Sequence, residues 1–149
     1  MRRLSGDLLA GAILLLPAFS QTALAQGQKT TYTGEVVIAA YIVNAGKEAD
    51  YEKVMATLKD ALAKSSRPEA KQQLAGWKVI KNAMNQPDGS PLYVHIITPV
   101  KDADYSIGNI VYEVVKDPAE QTAFFNLYKG ALQKPLFLIQ GAVTSDFSK

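Results

Sequence analysis

The sequence predicts an α+β domain, a four-stranded antiparallel sheet with its helices on one face. Three observations predict it. Short apolar runs rich in β-branched residues recur at 35–43, 77–84, 92–100 and 136–143. Segments with apolar residues at helical spacing separate the first run from the second and the third from the fourth. A Pro-Asp-Gly-Ser stretch at 87–90 supplies the turn chemistry that joins the middle two runs as a hairpin.

The chain opens with Arg2 and Arg3, an apolar run over 8–19 interrupted by Pro17, and the small-x-small pattern of Ala23, Leu24 and Ala25. That order reads as a cleavable secretory signal peptide over 1–25. Its apolar run is shorter than the roughly 20 residues a membrane-spanning helix needs, which disfavours a retained anchor. Cleavage leaves 124 residues and removes two arginines and one aspartate, so the net charge drops from +2 to +1. A near-neutral domain lacks the clustered Lys and Arg that nucleic-acid binding requires. The chain has no cysteine, so the domain folds without disulfides even though an export route permits them. The expected location is periplasmic or extracellular, with no membrane span after cleavage.

Residues 26–34 are polar and read as a flexible lead-in to a single domain over 35–149. The first strand, 35–43, is apolar on both alternating faces, as a central buried strand would be. Tyr51, Val54, Met55, Leu58 and Leu62 then mark one face of a helix over about 47–65. Glu48, Asp50 and Glu52 read as its negatively charged start, favoured by the helix dipole. A break at Arg67 and Pro68 is followed by one further helical turn near 69–74. Strands at 77–84 and 92–100 flank the hairpin loop. A short helix over 105–115 carries Ile107, Ile110, Val111 and Val114 on one side. Asp117, Pro118 and Glu120 supply the N-cap, N1 and N3 chemistry of a new helix start. Phe124, Leu127, Tyr128 and Ala131 form that helix's apolar face. Pro135 reads as its stop, before a last strand over 136–143.

The order is βαββαβ with a broken second helix, the split βαβ or ferredoxin-like arrangement. Its sheet has one face left over. In the first strand Val36, Ile38, Ala40 and Ile42 oppose Val37, Ala39, Tyr41 and Val43, and both sets are apolar. In the third, Leu92, Val94 and Ile96 oppose Tyr93, His95 and Ile97. The second apolar set needs cover, and a homodimer closed sheet to sheet provides it. The alternative is a monomer shielded by its own N-terminal arm or C-terminal tail.

The strand VVIAAYIV before the first helix, GWKVIKN before the hairpin and LYVHIITPVKDADYS before the second helix carry a resemblance. Over residues 35–147 the chain resembles secreted bacterial proteins of the dimeric α/β-barrel, ferredoxin-like superfamily. The resemblance implies a dimeric barrel. It leaves the activity open, since that superfamily includes cofactor-free monooxygenases, haem-degrading enzymes, chlorite-dismutase-like enzymes and proteins without assigned activity.

Several chemistries are excluded by residue type. One histidine and no cysteine rule out HExxH, His-pair metal centres, thiol nucleophiles and iron–sulfur ligation. No GxGxxG, Walker or GxSxG motif occurs. Asp102, Asp104, Ser106 and Glu113 have the spacing of a calcium loop, but Ile107 stands where such a loop needs glycine, and Asp104 reads better as a helix cap. No cofactor is expected.

His95 is the residue of most chemical interest. With the helices over the even-numbered side of its strand, His95 and Tyr93 face the cavity between two sheets. Tyr41 shares their phase there, and Trp77 or Asn82 line the same space. These aromatic rings with polar tips suit a small apolar ligand. With the helices on the odd-numbered side, the same residues are core. The leading expectation is an exported dimer that binds a small molecule or a partner without conventional catalytic machinery. A cofactor-independent monooxygenase-like or isomerase-like enzyme around His95, and a haem or tetrapyrrole binder with His95 as axial ligand, are the alternatives.

Overall fold

A computed structural model describes residues 27–148, so the signal peptide expected over 1–25 lies outside the described residues. Four strands and four helices follow one another as β1 (Val36–Val43), α1 (Glu48–Lys64), α2 (Ala70–Gly76), β2 (Trp77–Lys81), β3 (Leu92–Ile97), α3 (Ile107–Val114), α4 (Pro118–Ala131) and β4 (Leu132–Gly141). The strands form one open sheet in the order β2-β3-β1-β4, with every neighbouring pair antiparallel. The fold is therefore α+β, as the apolar patterning requires.

The helix layer is held by side chains at the predicted spacing. Val54, Leu58, Ala61 and Leu62 of α1 pack with Ala70 of α2, Ile110 and Val111 of α3 and Phe124 of α4. At the ends of α1 and α2, Arg67 makes an ion pair with Glu113 at 2.5 Å, and Ser65 donates to the same carboxylate. The sheet meets this layer through Val43 and Tyr93, which pack on Tyr51 and Ala131, and through Val37 and Ile97, which pack on Ala103 and Tyr105. The helices thus cover the odd-numbered side of β1 and β3.

The even-numbered side carries Val36, Ile38, Leu92, Val94 and Ile96, all half-buried with no helix above them. On the edge strands of that side, Ile80 opposite Val94, Phe137 opposite the buried Ala40 and Ile139 opposite Ile38 are 49%, 44% and 55% exposed. The second apolar face is real, and neither the arm nor the tail lies across it among the described residues.

The lead-in, over its described residues 27–34, contacts the loop before α3. The Lys29 ammonium donates to the Asp102 carbonyl, Thr30 exchanges hydrogen bonds with Asp104 and Tyr105, and the Tyr32 ring sits 5.0 Å from that of Tyr105. At the end of the lead-in Gly34 has φ +90°, and a Cβ there would meet the Gly141 carbonyl oxygen at 2.6 Å, so the arm enters β1 through a site only glycine fits.

The last strand begins at Leu132, earlier than expected, and contains Pro135. Proline lacks the N–H a central strand needs, but β4 is an edge strand, and its register with β1 slips between Ala40 and Tyr41, where Pro135 pairs. The preceding helix ends without proline's help, at Ala131.

The start of α4 follows the expected chemistry. The Asp117 side chain accepts the N–H groups of Ala119 and Glu120 at 2.8 and 2.9 Å. Replacing Asp117 by alanine should lower stability by about 1 kcal/mol, read as a shifted urea midpoint at unchanged slope. An unchanged midpoint would mean that the cap contributes nothing.

Candidate functional site

Alternation along β3 turns Tyr93, His95 and Ile97 toward the helices. Trp77, at the start of β2, shares that face through its pairing with Ile97. Tyr51 descends from the first turn of α1. These elements converge on the imidazole of His95, which is fully buried.

Both ring nitrogens are engaged. The Trp77 indole N–H donates to Nδ1 at 3.0 Å, and the Tyr51 hydroxyl lies 2.8 Å from Nε2. An indole can only donate, so Nδ1 must be the unprotonated nitrogen. Nε2 then carries the proton and donates it to Tyr51 Oη; the network assigns this tautomer. Burial pushes the imidazole pKa down to about 4, so the ring is neutral near pH 7. Tyr41 lies edge-on to it with ring centroids 5.0 Å apart. The aromatic contacts continue from Trp77 to Tyr105 at 5.5 Å and from Tyr51 to Tyr93 at 4.7 Å. Burial raises the Tyr51 hydroxyl well above its ordinary value, with Tyr128, Tyr41 and Tyr93 adding to it.

Four of the five residues singled out from the sequence, His95, Tyr93, Tyr41 and Trp77, are brought together, but under the helices and not on the uncovered face. Asn82 is separated from them. It follows β2, opposite Leu92 on the other side of the sheet, and its amide donates to the Met84 carbonyl. Tyr93 ends in polar company, donating to Glu52 at 2.7 Å. The Lys81 ammonium stands 3.7 Å from the same carboxylate. In this arrangement the imidazole positions Trp77 and Tyr51; it has no free lone pair for a proton or a metal.

The acidic residues at 102–113 are spent elsewhere. Asp104 accepts from Thr30 and Ser106 through Oδ1 and from Asn109 through Oδ2, while Glu113 pairs with Arg67. Ser106, two residues after Asp104, is the N-cap position of α3.

A space that the sequence did not announce lies on the outer side of Trp77. A groove of about 500 Å³ runs between α1, α2 and β2, lined by Met55, Ala56, Leu58, Lys59, Leu62, Leu74, Trp77 and Val79. Its size is that of small-molecule sites. Met55, Lys59 and Leu62 line it from one side of α1, and Trp77 and Val79 from one face of β2. What made the groove was α2, a full two-turn helix that stands as its third wall. A shallower hollow near Gln72, Gly76, Thr98 and Lys101 is more open to solvent. No helix among the described residues is long and apolar enough to cross a membrane.

Comparison of the chain with protein families, with curated proteins and with solved structures finds no match.

The buried imidazole gives a pH dependence of known sign. The unfolded ring binds its proton near pH 6.5 and the folded ring only near 4, so the unfolded state holds more protons between those values. Stability is then complete above about pH 6.5 and falls by roughly 3 kcal/mol as the pH drops through 4. His95→Gln, whose amide offers one acceptor and one donor, should abolish that part of the slope in urea unfolding measured across the window. An undiminished slope in the variant would show that another group is responsible, since His95 is the only histidine.

Proposed function

We propose that this chain is an exported homodimeric binding protein, in which two copies close their uncovered sheet faces in the manner of the ferredoxin-like dimeric α/β barrels. It acts by holding a small apolar molecule, not by catalysis. The observation that carries this reading is the sheet face opposite the helices, apolar from Ile80 on one edge to Ile139 on the other and uncovered among the described residues. The strand order β2-β3-β1-β4 supports the ferredoxin-like assignment. The leader-like residues 1–25 support export.

A second copy suits the face better than another occupant because the face is nearly uncharged and self-similar. Lys78 and Lys134 are the ionic residues at its two edges, and the strands between them are apolar. Such a surface meets its own twofold-related copy without unpaired charges in the middle. Strand β4 extends the contact, since the helix layer leaves it open as well; Leu138, on the helix side, is 50% exposed. The groove beside Trp77 opens in the helix layer, away from this interface, so a ligand can reach it in the dimer.

Readings that use His95 as a base or as a haem ligand are weaker. Each would have to break a hydrogen bond to Trp77 or Tyr51 inside the core, leaving a buried donor or acceptor unpaired at about 1–3 kcal/mol per group.

Light scattering on the chain from residue 26 onward should give twice the protomer mass. Ile139→Lys, on the uncovered face near the edge, should give a folded monomer with an unchanged far-UV spectrum. A wild-type monomer would contradict the dimer, and a dimeric Ile139→Lys protein would place the interface elsewhere.

A further inference from the structure

The groove between α1, α2 and β2 has a chemistry more specific than apolar. Its walls are Met55, Ala56, Leu58 and Leu62 of α1, Leu74 of α2, and Trp77 with Val79 of β2. The one hydrogen-bonding group that Trp77 possesses is already committed to His95. The indole therefore turns only its ring carbons to the groove, and the neighbouring side chains add methyl, methylene and thioether surface. A polar ligand body would lose its water there without replacement.

One lining residue is charged. Lys59 stands on α1 one turn beyond Met55. Among the described residues its ammonium has no carboxylate within ion-pair distance; the carboxylates that form pairs are Asp50, Glu52, Glu69 and Glu113, and they pair with Lys47, Lys81 and Arg67. Farther along β2, beyond Val79, Lys81 is balanced by Glu52, which also holds Tyr93. The groove thus combines an apolar trough with a single uncompensated positive charge at its wall.

We infer that this groove binds a single-chain amphiphilic anion, a molecule with an apolar body and one carboxylate-like end, the body lying on Trp77, Leu62 and Leu74 and the anionic end at Lys59. The inference rests on the binding reading above and assigns its ligand class. The arrangement discriminates by charge: a neutral chain of equal length gains the same burial but no partner for Lys59, and a cationic chain meets repulsion.

The chain reports on itself, because Trp77 is its only tryptophan and lines the groove. Decanoate, decanol and decylammonium are titrated at low ionic strength, below their aggregation concentrations, with Trp77 fluorescence as the readout. Decanoate should bind about 1.5- to 5-fold more tightly than decanol, the range expected of one exposed ion pair, and decylammonium should bind most weakly. Added salt should narrow the differences. Lys59→Glu should reverse the order of the two charged ligands and leave decanol unchanged. Ala56→Phe, which fills the groove from its exposed rim, should weaken all three.

Equal affinities for decanoate and decanol, unaltered in Lys59→Glu, would overturn the anion assignment while leaving a ligand groove in place. Decanoate binding that survives Ala56→Phe would move the ligand elsewhere, for instance to the uncovered sheet face, and overturn the site. No saturable response to any of the three would overturn the ligand reading itself.

Discussion

Two hydrogen bonds to one imidazole join the β2–β3 hairpin to α1, 44 positions earlier in the chain. His95 on β3 receives the Trp77 N–H from the start of β2 and gives its own proton to Tyr51 at the start of α1. Each partner is an aromatic residue with one polar group, and each would bury that group unsatisfied without the histidine. The imidazole suits the position because it offers one acceptor and one donor on opposite sides of a flat ring. Burial keeps it neutral and so keeps those two roles distinct. The orientation of Trp77, and with it the apolar floor of the groove, follows from this junction.

The same alternation that brings His95 inward sends Val94 and Ile96 outward. A sheet with helices on one side would ordinarily show polar residues on the other, and this one does not. The central strands are enclosed by their neighbours: Ala40 is fully buried between its register partners Val94 and Phe137. The edges are not enclosed, and apolar exposure is therefore concentrated in β2 and β4. Helix packing accounts for one apolar set and leaves the other uncovered among the described residues.

Much of this was legible in the chain, and the parts that were not share a cause. Residues 36–43 and 92–97 announced themselves by composition, α1 by the spacing of Tyr51, Val54, Leu58 and Leu62, and the start of α4 by Asp117, Pro118 and Glu120. These are local signals. Alternation also separated His95 from Val94, but it does not say which set the helices cover. That is decided by α1 placing Tyr51 against His95, a contact spanning 44 positions. Asn82 was expected beside Trp77, yet it follows β2, five positions on from Trp77, in the opposite phase, and lies across from Leu92 on the other face. Pro135 read as a helix stop because proline cannot continue a helix, and the chain did not say that β4 is an edge strand that admits it. The groove was illegible for the same reason as the choice of face, since its three walls come from separate elements and only their packing makes a space.

Pro135 has one more effect. An apolar strand at a sheet edge is a template on which further chains can stack without limit. Here Lys134 and Pro135 stand directly before the run Leu136, Phe137, Leu138 and Ile139, one bringing charge and the other removing a ladder donor. Register slips opposite them, between Ala40 and Tyr41 and between Ile42 and Val43, interrupt the ladder of β4 with β1. The run left in unbroken register is thereby short, and the charge and the proline before it work against edge-to-edge stacking.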